Sequence, residues 1–396
     1  MKKKLDIIFI TPRFIYPLFG GDRVKPYYIL KHLARHHNVT LCTQFQGGHP
    51  PCEYVDEIEK LGVELKYTSL FPKNAVMTGI LPHLFTWPLE IGFYTQREYL
   101  KMVDKLFEER NFDLGFSFFM RTAEHLKKRN IKKILMAEDC RVVYQKRSAE
   151  ESKSLKHKIV RNWEYQLLKR YEPDIVNHFD ITTLVTKEDI AMMKQRNPNA
   201  EYRLLTNGTD VEKFLPGDFK KRSGILFAGR LDIWANVLMI KQIVGEILPE
   251  VRKSIPDATL DIVGAMPVRE VKDLESDIVK LHINVPEMIP YLQKAKVFIH
   301  PHKGGSGIQN KLIEAMACGC PVVTTKTGIQ GFPALDGRDV LLCESSSDFA
   351  GKTIDLLEND ELAKEISSNC RQLIVDNLSW QAVYESLDNI ISELFA

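Results

Sequence analysis

The segment Ala295 to Thr324, AKVFIHPHKGGSGIQNKLIEAMACGCPVVT, constrains this chain more than any other. An apolar strand runs into the glycine-rich turn Gly304-Gly305-Ser306-Gly307, and the turn opens a helix. Ile308, Leu312, Ile313 and Met316 recur at helical spacing on one face. Gly319 stops the helix, Pro321 forbids its return, and a second strand follows from Pro321 to Thr325. A turn of this kind exposes backbone N–H groups at a helix N-terminus, a natural seat for an anion. Lys311 adds a positive charge there, and Glu314 can accept hydrogen bonds from hydroxyls. The combination suits a ligand with both phosphate and sugar, such as a sugar nucleotide. The plain alternative is a βαβ crossover whose glycines only tighten the turn.

The rest of the chain repeats the same alternation of strand and helix, which predicts an α/β protein with doubly wound parallel sheets. In the first half, strands are predicted at Asp6 to Thr11, Val39 to Thr43, Val63 to Leu65, Leu114 to Phe118, Ile134 to Ala137 and Ile181 to Thr186. The second half restarts at Ser223 to Ala228 and continues through Thr259 to Val263, Leu281 to Val285 and Val297 to His300. Loop formers cluster between Tyr202 and Lys221, where Asn207-Gly208-Thr209-Asp210 and Pro216-Gly217 mark a join. At 396 residues the chain suits two domains of ordinary size.

A net charge of +2 gives no strong global field, so no nucleic-acid partner is expected. Charge is uneven, however: Arg121 to Arg170 holds fifteen Lys/Arg against six Asp/Glu. Solvated helix faces explain this most simply; a patch for anionic lipid headgroups or an anionic acceptor is the functional alternative. The aromatic-rich stretch Leu70 to Tyr94 reads first as buried core, with an acceptor-site wall or a shallow membrane contact as alternatives. The seven cysteines have no disulfide or zinc spacing and read as free thiols of a reducing cytoplasm. After Met1-Lys2-Lys3-Lys4 the apolar stretch Leu5 to Ile10 is too short for a signal sequence and reads as a first strand.

The run Leu312-Ile313-Glu314-Ala315-Met316-Ala317-Cys318-Gly319-Cys320-Pro321-Val322-Val323 resembles, almost residue for residue, the donor-binding signature of family-4 retaining glycosyltransferases of the GT-B fold. Leu226-Phe227-Ala228-Gly229-Arg230-Leu231 resembles that family's G-R-L strand end, whose arginine pairs with the donor diphosphate. A planar guanidinium fork suits that task. Asn207-Gly208-Thr209-Asp210 with Phe214 resembles the hinge before the donor domain, and Gly328-Ile329-Gln330-Gly331 the loop near the donor sugar. Gly20-Gly21 matches the glycine loop that follows the first strand. Two departures stand out. The family's first glutamate of an E-x7-E pair falls at Ser306, and the lysine six residues after G-R-L falls at Asn236. Lys311 is placed to replace that missing charge. Gly305-x-Gly307-Ile308-Gln309-Asn310-Lys311 and Asn236-Val237 resemble a subgroup recurrent in exopolysaccharide systems.

The resemblance implies two Rossmann-like domains: an acceptor domain, residues 1–205, and a donor domain, residues 206–378. A last helix, 379–396, would cross back to the first domain. It implies transfer of a sugar, with retention of configuration, from a UDP- or GDP-sugar donor to a glycan or lipid-linked acceptor. The expected setting is synthesis of capsule or lipopolysaccharide in the cytoplasm, with peripheral contact at the inner face of the plasma membrane. No metal and no cofactor are expected. Donor contacts would come from Gly20, Gly21, Gly229, Arg230, Ser306, Gly307, Ile308, Lys311, Glu314 and Gln330. Arg230 and Lys311 would stabilise the leaving diphosphate. Of the carboxylates Glu138 and Asp139 after the strand Ile134 to Ala137, Asp139 is the candidate to bind acceptor hydroxyls, with a satisfied loop carboxylate as the plain alternative. His300 and His302 read as strand-end residues. A sugar-nucleotide 2-epimerase of the same fold, and a nucleotide-sugar-binding protein without turnover, are the alternatives.

Overall fold

A computed structural model of the chain describes residues 4–18, 21–150, 155–304 and 307–396. The chain divides into two compact units, one made of residues 1–206 and 384–396, the other of residues 207–383.

The first unit is built on a parallel sheet of β1 (Asp6–Ile10), β2 (Asn38–Gln46), β3 (Glu64–Leu70), β4 (Leu114–Phe118), β5 (Lys132–Glu138), β6 (Ile181–Leu184) and β7 (Tyr202–Leu204), in the order β3-β2-β1-β4-β5-β6-β7. The central strands β1 and β4 are buried from Ile7 and from Leu114 onward and are mostly apolar, as a sheet covered by helices on both sides requires. Ile8, Ile10, Leu135 and Ala137 pack with Tyr99, Val103 and Leu106 of the helix Arg97–Glu109. The second unit holds β8 (Ser223–Ala228), β9 (Leu260–Gly264), β10 (Val279–Ile283), β11 (Ala295–His300), β12 (Val322–Thr324) and β13 (Leu341–Leu342), ordered β10-β9-β8-β11-β12-β13 and again parallel. Each sheet reverses winding once, between β1 and β4 and between β8 and β11. In doubly wound sheets, ligands bind at the carboxyl ends of the strands beside such a reversal.

The strands Leu114 to Phe118 and Ser223 to Ala228 fall where periodicity puts them. Others move: the weak segment at Leu281 to Val285 is a strand two residues earlier, pulled into register with β9 by the pair Val279 and Leu260. The larger correction concerns Leu70 to Tyr94. It is not mainly core: it forms short helical turns, Pro72–Ala75, Val76–Ile80, Leu81–His83 and Leu89–Tyr94, and leaves Phe71, Met77, Leu81 and Phe85 exposed.

The helix Trp380–Leu394 starts in the second unit, where Trp380 packs on Gly208 and its N–H donates to the Thr209 carbonyl at 3.1 Å. From Tyr384 onward its residues belong to the first unit. There Tyr384 stacks on His32 with centroids 4.3 Å apart, Asp388 lies 2.9 Å from His32 Nε2, and Glu393 pairs with Arg203.

Candidate functional site

The site in the second unit is built where β8 and β11 end. Gly229, the residue after β8, donates its N–H to the Val263 carbonyl at 3.0 Å. A side chain on Gly264 would collide with the Gly229 carbonyl oxygen, so two backbones meet where only glycine fits. A Cβ on Gly229 would stand 3.0 Å from Asn236 Nδ2 and 3.3 Å from Lys311 Nζ. The glycine thus leaves room for those two heads to converge on the strand end.

Asn236, buried in the first turns of the helix Trp234–Gln242, uses both ends of its amide. Its Nδ2 donates to the Arg230 carbonyl at 2.7 Å, and its Oδ1 accepts from Lys311 Nζ at 2.7 Å. Lys311 also lies over the Phe227 ring, 5.3 Å from its centroid. It reaches the end of β8 from the helix Asn310–Ala317. Burial pulls the Lys311 ammonium down to about 8, and among the described residues no carboxylate pairs with it. A cation held without a counter-ion at a strand end is a seat for an anion.

Further polar groups lie on the same helix, at the end of β11 and in the loop after β12. Glu314, one turn along the same helix, is pushed up to about 7 by burial, against the pull of Lys213. His300 closes β11, fully buried, with Nδ1 3.2 Å from Thr324 Oγ1 and its ring stacked on His302 at 5.2 Å. Burial, then the charge of Lys311, hold His300 well below the usual imidazole range, and its buried Nε2 has no partner among the described residues. Gly307 takes φ +74°, and Ile308 is buried. Gly328 donates its N–H to Thr325 Oγ1 at 2.9 Å, in the loop that carries the half-buried Gln330. Ser306 and Gly20 lie outside the described residues.

Arg230 differs from its expected disposition. Its guanidinium is turned to Asp232, with Nε 3.0 Å from Oδ1 and Nη2 2.5 Å from Oδ2, and its side chain is 57% exposed. The fork that would grip a diphosphate is thus engaged within its own loop. Asp232, which no motif flagged, is the residue responsible.

Gly21 and Asp139 belong to the first unit, where Gly21 opens the helix Gly21–His36. Asp139 lies 3.6 Å from Arg141, whose guanidinium mainly serves Glu90 at 3.0 Å. Burial alone would raise the Glu90 carboxyl, but Arg141 and Arg121 hold it at about 2. The neighbouring Glu138 sits at φ +72°, a strained conformation for a residue with a side chain. Its carboxylate takes two hydrogen bonds, 2.8 and 3.1 Å, from the buried Lys25, which also donates to the Leu205 carbonyl at 2.7 Å. Burial lowers Lys25 and raises Glu138, and their mutual attraction opposes both shifts. Sequence reasoning missed this pair because Lys25 carries no motif. Among the described residues no group of three His, Cys, Asp or Glu could hold a metal.

Comparison with known proteins agrees with this architecture. Residues 222–359 match the family described as Glycosyl transferases group 1. An uncharacterised 44.6 kDa protein of the cps region of Klebsiella pneumoniae is 24% identical over 268 residues, 64% of this chain and 67% of that protein. A GDP-mannose-dependent alpha-(1-6)-phosphatidylinositol monomannoside mannosyltransferase of Mycolicibacterium smegmatis is 27% identical over 243 residues, 55% of this chain and 63% of that enzyme. Among solved structures, Anabaena HepE in complex with UDP and glucose superposes with a TM-score of 0.66 at 15% identity, covering 98% of this chain and 100% of the other. The matched stretches span 56–67% of the first three curated relatives' own length. The fold is GT-B. The likeness to the glycosyl transferases group 1 family lies within the second unit.

Proposed function

We propose that the protein is a retaining glycosyltransferase that moves a sugar from a nucleotide-sugar donor to a hydroxyl of a glycan or lipid-linked acceptor. Its setting would be the assembly of a cell-surface polysaccharide. The observation that carries this reading is the uncompensated Lys311 ammonium, held by Asn236 beside the glycines of two strand ends. The donor diphosphate would sit against Lys311 and the N-terminal turn of its helix, with Glu314 accepting hydrogen bonds from the ribose hydroxyls. As the bond from the anomeric carbon to phosphate breaks, its electron pair stays on the diphosphate, and Lys311 stabilises the charge that develops there. The acceptor oxygen then bonds to the anomeric carbon on the same face, and its proton passes to the departing phosphate oxygen. Arg230 would join the phosphate by exchanging Asp232 for it. No residue of the chain is assigned as a nucleophile, and no metal or cofactor enters the scheme.

The resemblance to a cps-region protein and to HepE, solved with UDP and glucose, supports the setting and the donor class. A nucleotide-sugar-binding protein without turnover is the second reading, favoured by one observation, the engagement of Arg230 by Asp232. Calorimetric titration with UDP and with GDP, repeated on Lys311→Ala, tests the binding step. Saturable binding of one nucleotide, weakened in the variant while circular dichroism is unchanged, supports the proposal. Equal affinity in both proteins refutes the site. Sugar transfer by the purified protein, lost in Lys311→Ala, separates the two readings.

A further inference from the structure

The first unit carries a surface patterned opposite to that of a soluble helix. In the turns from Pro72 to His83 the small residues Ala75 and Gly79 point inward and are buried. Gly79 meets Gly92 so closely that a Cβ on either would strike the other's backbone, which seats this run firmly on the helix Leu89–Tyr94. The large apolar side chains face out instead: Met77 is 66% exposed, and Leu81 and Phe85 are exposed with it. The same inversion recurs in the helix Leu155–Ile175. Its second half buries Leu167, Leu168 and Tyr171, whereas its first three turns expose Leu155 (74%), Ile159 and Trp163.

These two segments form one surface. The Phe85 and Trp163 rings meet edge to face at 5.3 Å, and Trp163 Nε1 donates to the Leu84 carbonyl at 3.3 Å. Their charge has one sign. Residues 71–87 contain Lys73 and no acid; residues 155–163 contain Lys156, Lys158 and Arg161 and no acid. Apolar groups on display with an aromatic and only cations among them match the layered chemistry of a bilayer surface, with anionic headgroups above acyl chains. A water-facing surface carries no gain from exposing Met77 and Phe85, and a purely electrostatic patch has no need of them. Among the described residues no helix is long and apolar enough to cross a membrane, so the contact would be peripheral.

We infer that this surface, built from residues 71–87 and the start of the helix Leu155–Ile175, docks the protein on an anionic lipid bilayer. Met77, Leu81, Phe85 and Ile159 enter the acyl boundary, Trp163 sits at the headgroup level, and the lysines meet the lipid phosphates. The inference goes beyond the donor chemistry and does not rest on it.

The test is co-sedimentation of the full chain with vesicles of phosphatidylcholine alone and with added phosphatidylglycerol, at low and high salt. Binding to the anionic vesicles is expected, reduced but not abolished by salt. Met77→Ser with Phe85→Ser should weaken it at least tenfold at either salt concentration. Lys156→Ala with Lys158→Ala should weaken it about fivefold per charge at low salt only. Nucleotide titration of each variant reports that the second unit is intact, and circular dichroism that the chain is folded. No sedimentation of the wild type with anionic vesicles overturns the inference, as does wild-type binding by both variants. A concentration-dependent dimer that the Met77 and Phe85 substitutions convert to monomer, without vesicle binding, overturns it in favour of a second copy of the chain.

Discussion

If Lys311 binds the donor diphosphate, donor affinity must fall as the pH rises through about 8, and the size of the fall follows from the structure. A free lysine stays charged to about pH 10.4. Here burial lowers the ammonium to about 8, with no carboxylate recorded as a partner among the described residues. The sign is that of a cation disfavoured by its surroundings: charged below pH 8, neutral above. A bound diphosphate restores the charged form, because it supplies the missing counter-ion, so binding must take up a proton. With the bound form protonated throughout, affinity scales with the charged fraction of the free protein. That fraction is about nine tenths at pH 7, half at pH 8 and about one tenth at pH 9. Affinity for UDP or GDP should therefore drop roughly tenfold between pH 7 and 9. At pH 8, calorimetry in buffers of different ionisation enthalpy should show about half a proton taken up per nucleotide bound. Lys311→Met should bind about 10- to 100-fold more weakly at pH 7, the scale of one charged hydrogen bond, and should lack this pH dependence. Titration of the base itself is common to both proteins and cancels in the comparison. A wild-type affinity that is flat from pH 7 to 9, with no proton uptake, refutes the assignment of Lys311 to the phosphate.

Three further outcomes follow from named contacts. Lys25→Met leaves Glu138 buried without its partner and should cost about 3–5 kcal/mol in denaturant unfolding, largely recovered when Glu138→Gln is added; additive losses in the double variant would mean the two do not act as a pair. Gly264→Ala drives a methyl into the Gly229 carbonyl, so urea titration should show a loss of about 1–3 kcal/mol, accompanied by weakened nucleotide binding; wild-type behaviour would show that the two strand ends can part. Asp232→Ala releases the exposed Arg230 from a contact worth about 0–1 kcal/mol, so donor affinity should rise up to about fivefold if that guanidinium joins the phosphate, and stay unchanged if it does not.

Much of this chain was legible as sequence because its signals are local. Alternation between apolar strands and amphipathic helices, with Gly319 and Pro321 as stops, determined an α/β chain. The run from Leu312 to Val323 carried the likeness to the glycosyltransferases. Strand and helix periods and turn chemistry depend on neighbours in sequence, so one sequence is enough to read them. The position of Lys311 relative to Asn236 was of another kind. The two are 75 residues apart, and only the adjacency of β8 and β11 in the sheet brings their side chains to 2.7 Å. The sequence showed asparagine at 236 and a lysine on a later helix; tertiary structure brought those two side chains together. The same holds for Arg230, whose motif speaks of phosphate while its loop folds the guanidinium onto Asp232. Lys25 and Glu138, 113 residues apart, meet only because the helix after β1 packs over the end of β5. Residues 71–87 show the limit most plainly. Hydrophobicity says that such a segment avoids water, but not what it avoids water against. The close approach of Gly79 and Gly92 turns its small residues inward and its large ones out, and that choice belongs to packing alone.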